Sequence, residues 1–128
     1  MTYPSSVVTM VRGDDFQFDV FVTDNVTGDP VDITGNSLWF TAKRRYFFDD
    51  PDPETTIKKD NLTPSGGIQV LDALGGQARV FIDAADTDGY TKREVFRFDV
   101  QWKDSNDFLH TLTRGDFIVE LDVTRRTT

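Results

Sequence analysis

This sequence predicts an all-β sandwich, and three observations point to it. Apolar residues recur at every second position through most of the 128 residues, the spacing of strands that turn one face to a core. Clusters of turn formers separate these runs at intervals that suit about seven to nine short strands. The composition agrees, because nineteen of the 22 acidic residues are Asp, only three are Glu, and Phe occurs eleven times. Asp suits turns and caps better than helix interiors, and Phe, Val and Thr suit strands. Packing two layers together gives the apolar face of each strand a partner.

Along the chain, Phe16, Phe18, Val20 and Val22 alternate with polar residues, Phe21 being the exception. The turn-rich stretch from Asp24 to Pro30 follows, then a short extended piece from Val31 to a glycine break at Gly35. Leu38, Phe40 and Ala42 mark the next strand, with Trp39, Thr41 and Lys43 on its other face. From Arg45 to Pro53 the pattern breaks, and two prolines exclude a central strand. Thr55 to Lys59 suits a short edge strand, and Asn61 to Gly67 a link. Two strands are expected around Ile68–Val70 and Ala78–Ile82, joined at Leu74-Gly75-Gly76.

Asp83 is placed to cap one helical turn over Ala84-Ala85-Asp86, which Gly89 would end. The clearest strand comes next, with Glu94, Phe96, Phe98, Val100 and Trp102 on one face. Asp104-Ser105-Asn106-Asp107 reads as a hairpin turn into a strand from Phe108 to Thr113. Arg114-Gly115-Asp116 reads as a further turn before a last strand with Phe117, Val119, Leu121 and Val123 on one face. No linker divides the chain, so one domain over residues 1–128 is expected.

Composition also narrows the function classes. With no cysteine there is no disulfide and no thiolate chemistry. The first residues carry no basic segment followed by an apolar run, which argues against a secretory leader. No apolar run approaches the roughly 18 residues of a membrane helix, so no membrane partner is expected. A net charge of -8 disfavours nucleic acid. The basic run Lys43-Arg44-Arg45 beside Tyr46 is offset at once by Asp49, Asp50, Asp52 and Glu54.

No catalytic, cofactor or metal site is expected. The single histidine, His110, falls inside a strand and reads as structural. Asp83, Asp86, Asp88 and Glu94 echo the spacing of a calcium loop, but Ala85 and Asp88 occupy the third and sixth positions, where a ligand and a glycine are required. The Arg-Gly-Asp triplets at Arg12 and Arg114 sit at strand entrances, where backbone geometry accounts for them. Tyr46, Phe47 and Phe48 are three consecutive aromatics that cannot all enter one core, so they are the expected protein-contact site. Arg125 and Arg126 in the tail are a second contact candidate. Trp39, opposite in phase to Phe40, is the candidate for stacking on a sugar.

Several of these segments resemble a known family. They are Arg12-Gly13-Asp14-Asp15-Phe16 with its strand, the turn ending Gly28-Asp29-Pro30-Val31-Asp32-Ile33-Thr34-Gly35, and Leu38-Trp39-Phe40-Thr41-Ala42-Lys43. With Tyr90, Phe96 to Trp102, Leu112, Gly115 and Phe117 to Arg125, the pattern from about Val11 to Arg125 is similar to the amino-terminal domain of tailed-phage baseplate upper proteins. The resemblance implies an immunoglobulin-like antiparallel sandwich and a location in the virion, after synthesis in the host bacterial cytoplasm. It implies a tail or baseplate adaptor for fibre or receptor-binding proteins, present in several copies in a symmetric assembly. Baseplate upper proteins continue into helical and further β regions that this sequence lacks, so a free-standing adaptor is expected. The alternatives are capsid decoration, a head-fibre or neck protein, and a carbohydrate-binding module.

Overall fold

A computed structural model of the chain describes residues 5–24, 26–44 and 57–123. Its elements are β1 (Ser5–Val11), β2 (Phe16–Phe21), β3 (Ser37–Arg44), β4 (Ile57–Asp60), β5 (Ile68–Asp72), β6 (Gln77–Ile82), a one-turn helix α1 (Ala84–Thr87), β7 (Glu94–Lys103) and β8 (Leu109–Glu120). The strands form two sheets, one in the order β1-β8-β7-β3-β4 and the other β2-β6-β5. The chain changes sheet four times, after β1, β2, β4 and β6. This is the immunoglobulin arrangement, with an extra strand, β4, on the larger sheet. Among the described residues, no helix is long and apolar enough to cross a membrane.

Every-other-residue burial is observed as the sequence predicts. Leu38, Phe40 and Ala42 of β3 are buried, as are Ala78, Val80 and Ile82 of β6 and Phe96, Phe98 and Val100 of β7. Phe18 from the smaller sheet meets Phe40 edge-on, ring centroids 5.7 Å apart, and Phe98 at 6.5 Å. Phe40 in turn contacts Phe117 at 5.9 Å, so the aromatic cluster spans both layers. Ile33 reaches the core from the β2–β3 connection, where its N–H donates to the Ala73 carbonyl at 2.9 Å.

The aspartates do the work expected of them in turns. Carboxylates of Asp24, Asp32, Asp60, Asp72 and Asp104 each accept a backbone N–H two or three residues ahead, at 2.8–3.0 Å. A short polar side chain here replaces the ladder bonds that a turn gives up.

Three expectations are corrected. The sandwich is not wholly antiparallel, because β1 pairs in parallel with β8 from Ser5↔Arg114 to Val11↔Glu120. Period-two patterning fixes faces and is blind to strand direction, and nearly the whole chain separates these two strands. β1 itself was not expected, since Val7 and Val11 put apolar residues on the outer face as well and blur the alternation. The third correction concerns Arg114-Gly115-Asp116, which is no turn but lies within the twelve-residue β8.

The apolar phase does shift between Leu112 and Phe117, but a bulge makes the shift. The β7–β8 register steps from Val100↔Thr113 to Gln101↔Thr111, leaving Leu112 as the extra residue. The bulge turns Leu112 toward the core while Phe117 and Val119 stay buried. Gly115 sits opposite Phe98 on the core face.

Phe40 is fully buried, so Phe40→Ala is expected to destabilise the fold by about 3–5 kcal/mol in urea titration. Phe21 is 59% exposed, and Phe21→Ala is expected to change stability by no more than about 0.5 kcal/mol.

Candidate interaction surface

The expected contact residues Tyr46, Phe47, Phe48, Arg125 and Arg126 lie outside the described residues. The strands that lead toward them end on one side of the larger sheet: Arg44 closes β3 opposite Phe96, and Glu94 opens β7 opposite Val119 of β8.

That end is held by a buried clamp. Arg12, 8% exposed, donates from Nε to Asp122 Oδ1 at 2.8 Å and from Nη1 to the Tyr90 carbonyl at 2.7 Å. Its Nη2 lies 2.6 Å from the same carboxylate. Gly13 N–H donates to the hydroxyl of fully buried Thr87 at 2.9 Å, and Ala84 N–H to Asp15 at 3.0 Å. Asp86 accepts the Asp83 N–H at 2.7 Å and pairs with Lys59 at 2.8 Å. The carboxylates around α1 thus serve capping and ion pairing, and among the described residues no group of three or more potential ligands is arranged to hold a metal. The first Arg-Gly-Asp triplet is part of the clamp, since its arginine is buried. In the second, Asp116 is taken by Arg97 at 3.0 Å.

The opposite end presents the β7–β8 hairpin. Asp104 Oδ1 accepts the N–H groups of Asn106 at 2.9 Å and Phe108 at 3.0 Å. Asp107 takes a left-handed conformation at φ 64°, which a short polar residue tolerates. His110 Nε2 donates to Asp104 Oδ2 at 2.8 Å and its ring stacks on Trp102 with centroids 4.9 Å apart. Trp102 Nε1–H donates to Asn36 Oδ1 at 3.1 Å. Asn61 bridges the Asn36 carbonyl and the Leu38 N–H, at 2.9 and 2.8 Å. The hairpin is therefore braced from beneath through five connected residues, Asp104, His110, Trp102, Asn36 and Asn61.

On top of this brace, Phe108 is 65% and Leu109 56% exposed. On the outer face of the larger sheet, Trp39, Thr41, Lys58, Gln101, Lys103 and Asp107 line an open cleft with Leu109. Trp39 faces outward, as its phase predicts, and half-buried Trp102 faces the core. The sequence reading did not single out Phe108 and Leu109. The available signal was their position directly after four polar turn residues, where alternation ceases to report burial.

Further down the same face, Thr41, Asp99 and Arg114 line up across three strands. Burial raises the Asp99 carboxyl above the usual range, and the charges of Lys43 and Arg114 oppose that shift. The face is thus polar in its middle and apolar at the hairpin.

The hydrogen bond from His110 holds the Asp104 carboxyl below its ordinary value, and the N–H groups of Phe108 and Asn106 add to the effect. A depressed folded-state pKa contributes stability above the unfolded value, about 3.9, that is lost as pH falls through the folded one. Asp104→Asn is accordingly expected to melt below the parent protein at pH 6, with the gap closing toward pH 3. At the other end, Arg12→Ala is expected to cost about 3 kcal/mol in urea titration, because it removes the buried guanidinium that joins Asp122 to the Tyr90 carbonyl. Arg12→Lys is expected to recover less than half, since one ammonium cannot span both acceptors.

No family model matches the chain, and no curated protein matches it. Among solved structures it is similar to the N-terminal domain of phage TP901-1 ORF48, at 12% identity and a TM-score of 0.45, over 91% of this chain and 85% of that one. It is also similar to murine CRIg, at 11% identity and a TM-score of 0.40, over 91% of this chain and 92% of that one.

Proposed function

We propose that the chain is a non-enzymatic structural protein of a tailed-phage virion, an adaptor between the tail or baseplate and a fibre or receptor-binding protein. The observation that carries a docking role is the braced hairpin: Phe108 and Leu109 stand exposed, Leu109 beside Trp39, on a support that leaves them little freedom to lose. Rigid aromatic and aliphatic anchors with a charged rim are what protein interfaces concentrate.

The place in a virion rests on the sequence resemblance to baseplate upper proteins. The segments that carry it hold structural positions here, with Arg12 in the clamp and Ile33 in the core. In this reading the chain acts as one docking domain present in several copies, and symmetric multivalency multiplies a modest single contact. Tyr46, Phe47, Phe48, Arg125 and Arg126 belong to the proposed contact set as well.

A second reading comes from the cleft itself. Trp39 with Thr41, Gln101 and Asp107 at its sides offers an aromatic platform beside hydrogen-bonding groups, the composition of a carbohydrate site.

Purified particles of the encoding phage test the first reading. The chain is expected among their proteins by mass spectrometry. The double variant Phe108→Ala, Leu109→Ala is expected to lower its incorporation at least about tenfold with the urea midpoint unchanged. Absence from particles would overturn the assignment. Tryptophan fluorescence quenched by glycans, with glycan binding abolished by Trp39→Ala and kept by Phe108→Ala, would favour the second reading.

A further inference from the structure

The open edge of the smaller sheet has the features of a binding site. β2 has β6 on one side and, among the described residues, no strand on the other. The ladder's phase shows which backbone groups face outward. Val22 N–H donates to the Gly76 carbonyl at 2.8 Å, continuing the β2–β6 register, so this is a hydrogen-bonded pair. Such pairs alternate along an antiparallel ladder. Phe16, Phe18 and Val20 therefore direct their N–H and C=O groups to β6, and Gln17, Asp19 and Phe21 direct theirs away from the sheet. The far side of β6 agrees, since Phe81, opposite Gln17, donates its N–H away from β2 to the Gly67 carbonyl at 2.8 Å.

Two of the three other edges of the sandwich are less inviting: β4 has four residues, two of them lysines, and β5 is interrupted by a bulge between Val70 and Asp72, while β1 is an uncharged seven-residue edge of the larger sheet. Charge, brevity and bulges are the usual means of blunting an edge. In the immunoglobulin arrangement the first strand commonly lies beside the second, but here β1 pairs with β8 along its whole length. Among the described residues, that choice leaves the place beside β2 vacant.

Side chains around the vacancy indicate what would enter it. Phe16 and Phe18 point toward the core yet are only partly buried, whereas Val20 is 6% exposed. An added strand with apolar residues on that face would cover both rings. On the outer face it would meet Gln17, Asp19 and the exposed ring of Phe21. A second copy is a poor occupant. Asp19 itself is paired with Arg79 at 2.7 Å, but each chain carries a net charge of -8, so two copies repel.

We infer that β2 receives an extended segment of a neighbouring virion protein, about six residues long, alternating apolar with polar or aromatic side chains, which adds as a fourth strand to the smaller sheet. The inference rests on the virion reading and deepens it.

Hydrogen exchange and two variants test it. In the free protein, amides of Gln17, Asp19 and Phe21 are expected to exchange at least about a hundredfold faster than those of Phe18 and Val20. In intact particles the outward amides are expected to slow at least about tenfold. Asp19→Pro removes an outward N–H, which an edge strand tolerates, together with the carboxylate that pairs with Arg79, and is expected to lower incorporation at least about tenfold; the alanine variant isolates the loss of the carboxylate. Asp19→Ala keeps that N–H and is expected to assemble normally. Particle-bound chain with fast outward amides would overturn the inference and leave the virion reading intact, as would equal incorporation of the two variants. Absence of the chain from particles would overturn both. A concentration-dependent dimer in sedimentation, abolished by Asp19→Pro, would make the occupant a second copy and overturn the partner assigned here.

Discussion

The contact of Phe18 with Phe40 and Phe98 is the constraint on which the rest of the molecule depends. It joins one sheet to the other where the alternating faces of β2, β3 and β7 meet. Neither the three-stranded nor the five-stranded sheet is stable while its apolar face is wet. Each layer is the solvent-excluding cover of the other. With no cysteine in the sequence, this burial takes the place of a covalent cross-link between the layers.

Two polar devices finish the ends that the apolar layers leave open. At one end Arg12 gathers Asp122 and the Tyr90 carbonyl, tying the β1–β2 link, the segment after α1 and the exit from β8 together. At the other, Asn61, Asn36, Trp102, His110 and Asp104 pass hydrogen bonds and ring contact from the β4–β5 link to the β7–β8 hairpin. Each uses side chains whose donors have fixed directions, so each sets the geometry of a loop as well as its stability. The exposed residues Phe108 and Leu109 inherit their position from the second device, and the outward backbone of β2 inherits its exposure from β1's choice of partner.

Much of this was legible in order along the chain. The alternation of Phe16 to Val22, Leu38 to Ala42, Ala78 to Ile82 and Glu94 to Val100 marked the buried faces, and the Asp-rich stretches marked the turns. The hairpin at Asp104 and the helical turn after Asp83 were readable for the same reason, because capping is a local affair between residues two to four apart. The bulge at Leu112 was not readable. A phase shift in apolar residues has two local solutions, a turn or an extra residue, and only the partner strand β7 decides between them. The proposed interaction surface was least legible, because exposure of Phe108 and Leu109 depends on what fails to pack over them.

By itself, then, the sequence determined the class of fold, the faces of most strands, the positions of most turns and the absence of sulfur chemistry, all of which follow from residue type and from spacing within one segment. Tertiary structure decided which strands are neighbours, that β1 runs parallel to β8, that Arg12 is a buried clamp, and that among the described residues β2 has an open edge. Those outcomes depend on contacts between residues as far apart as Arg12 and Asp122, and no local period carries information about such pairs.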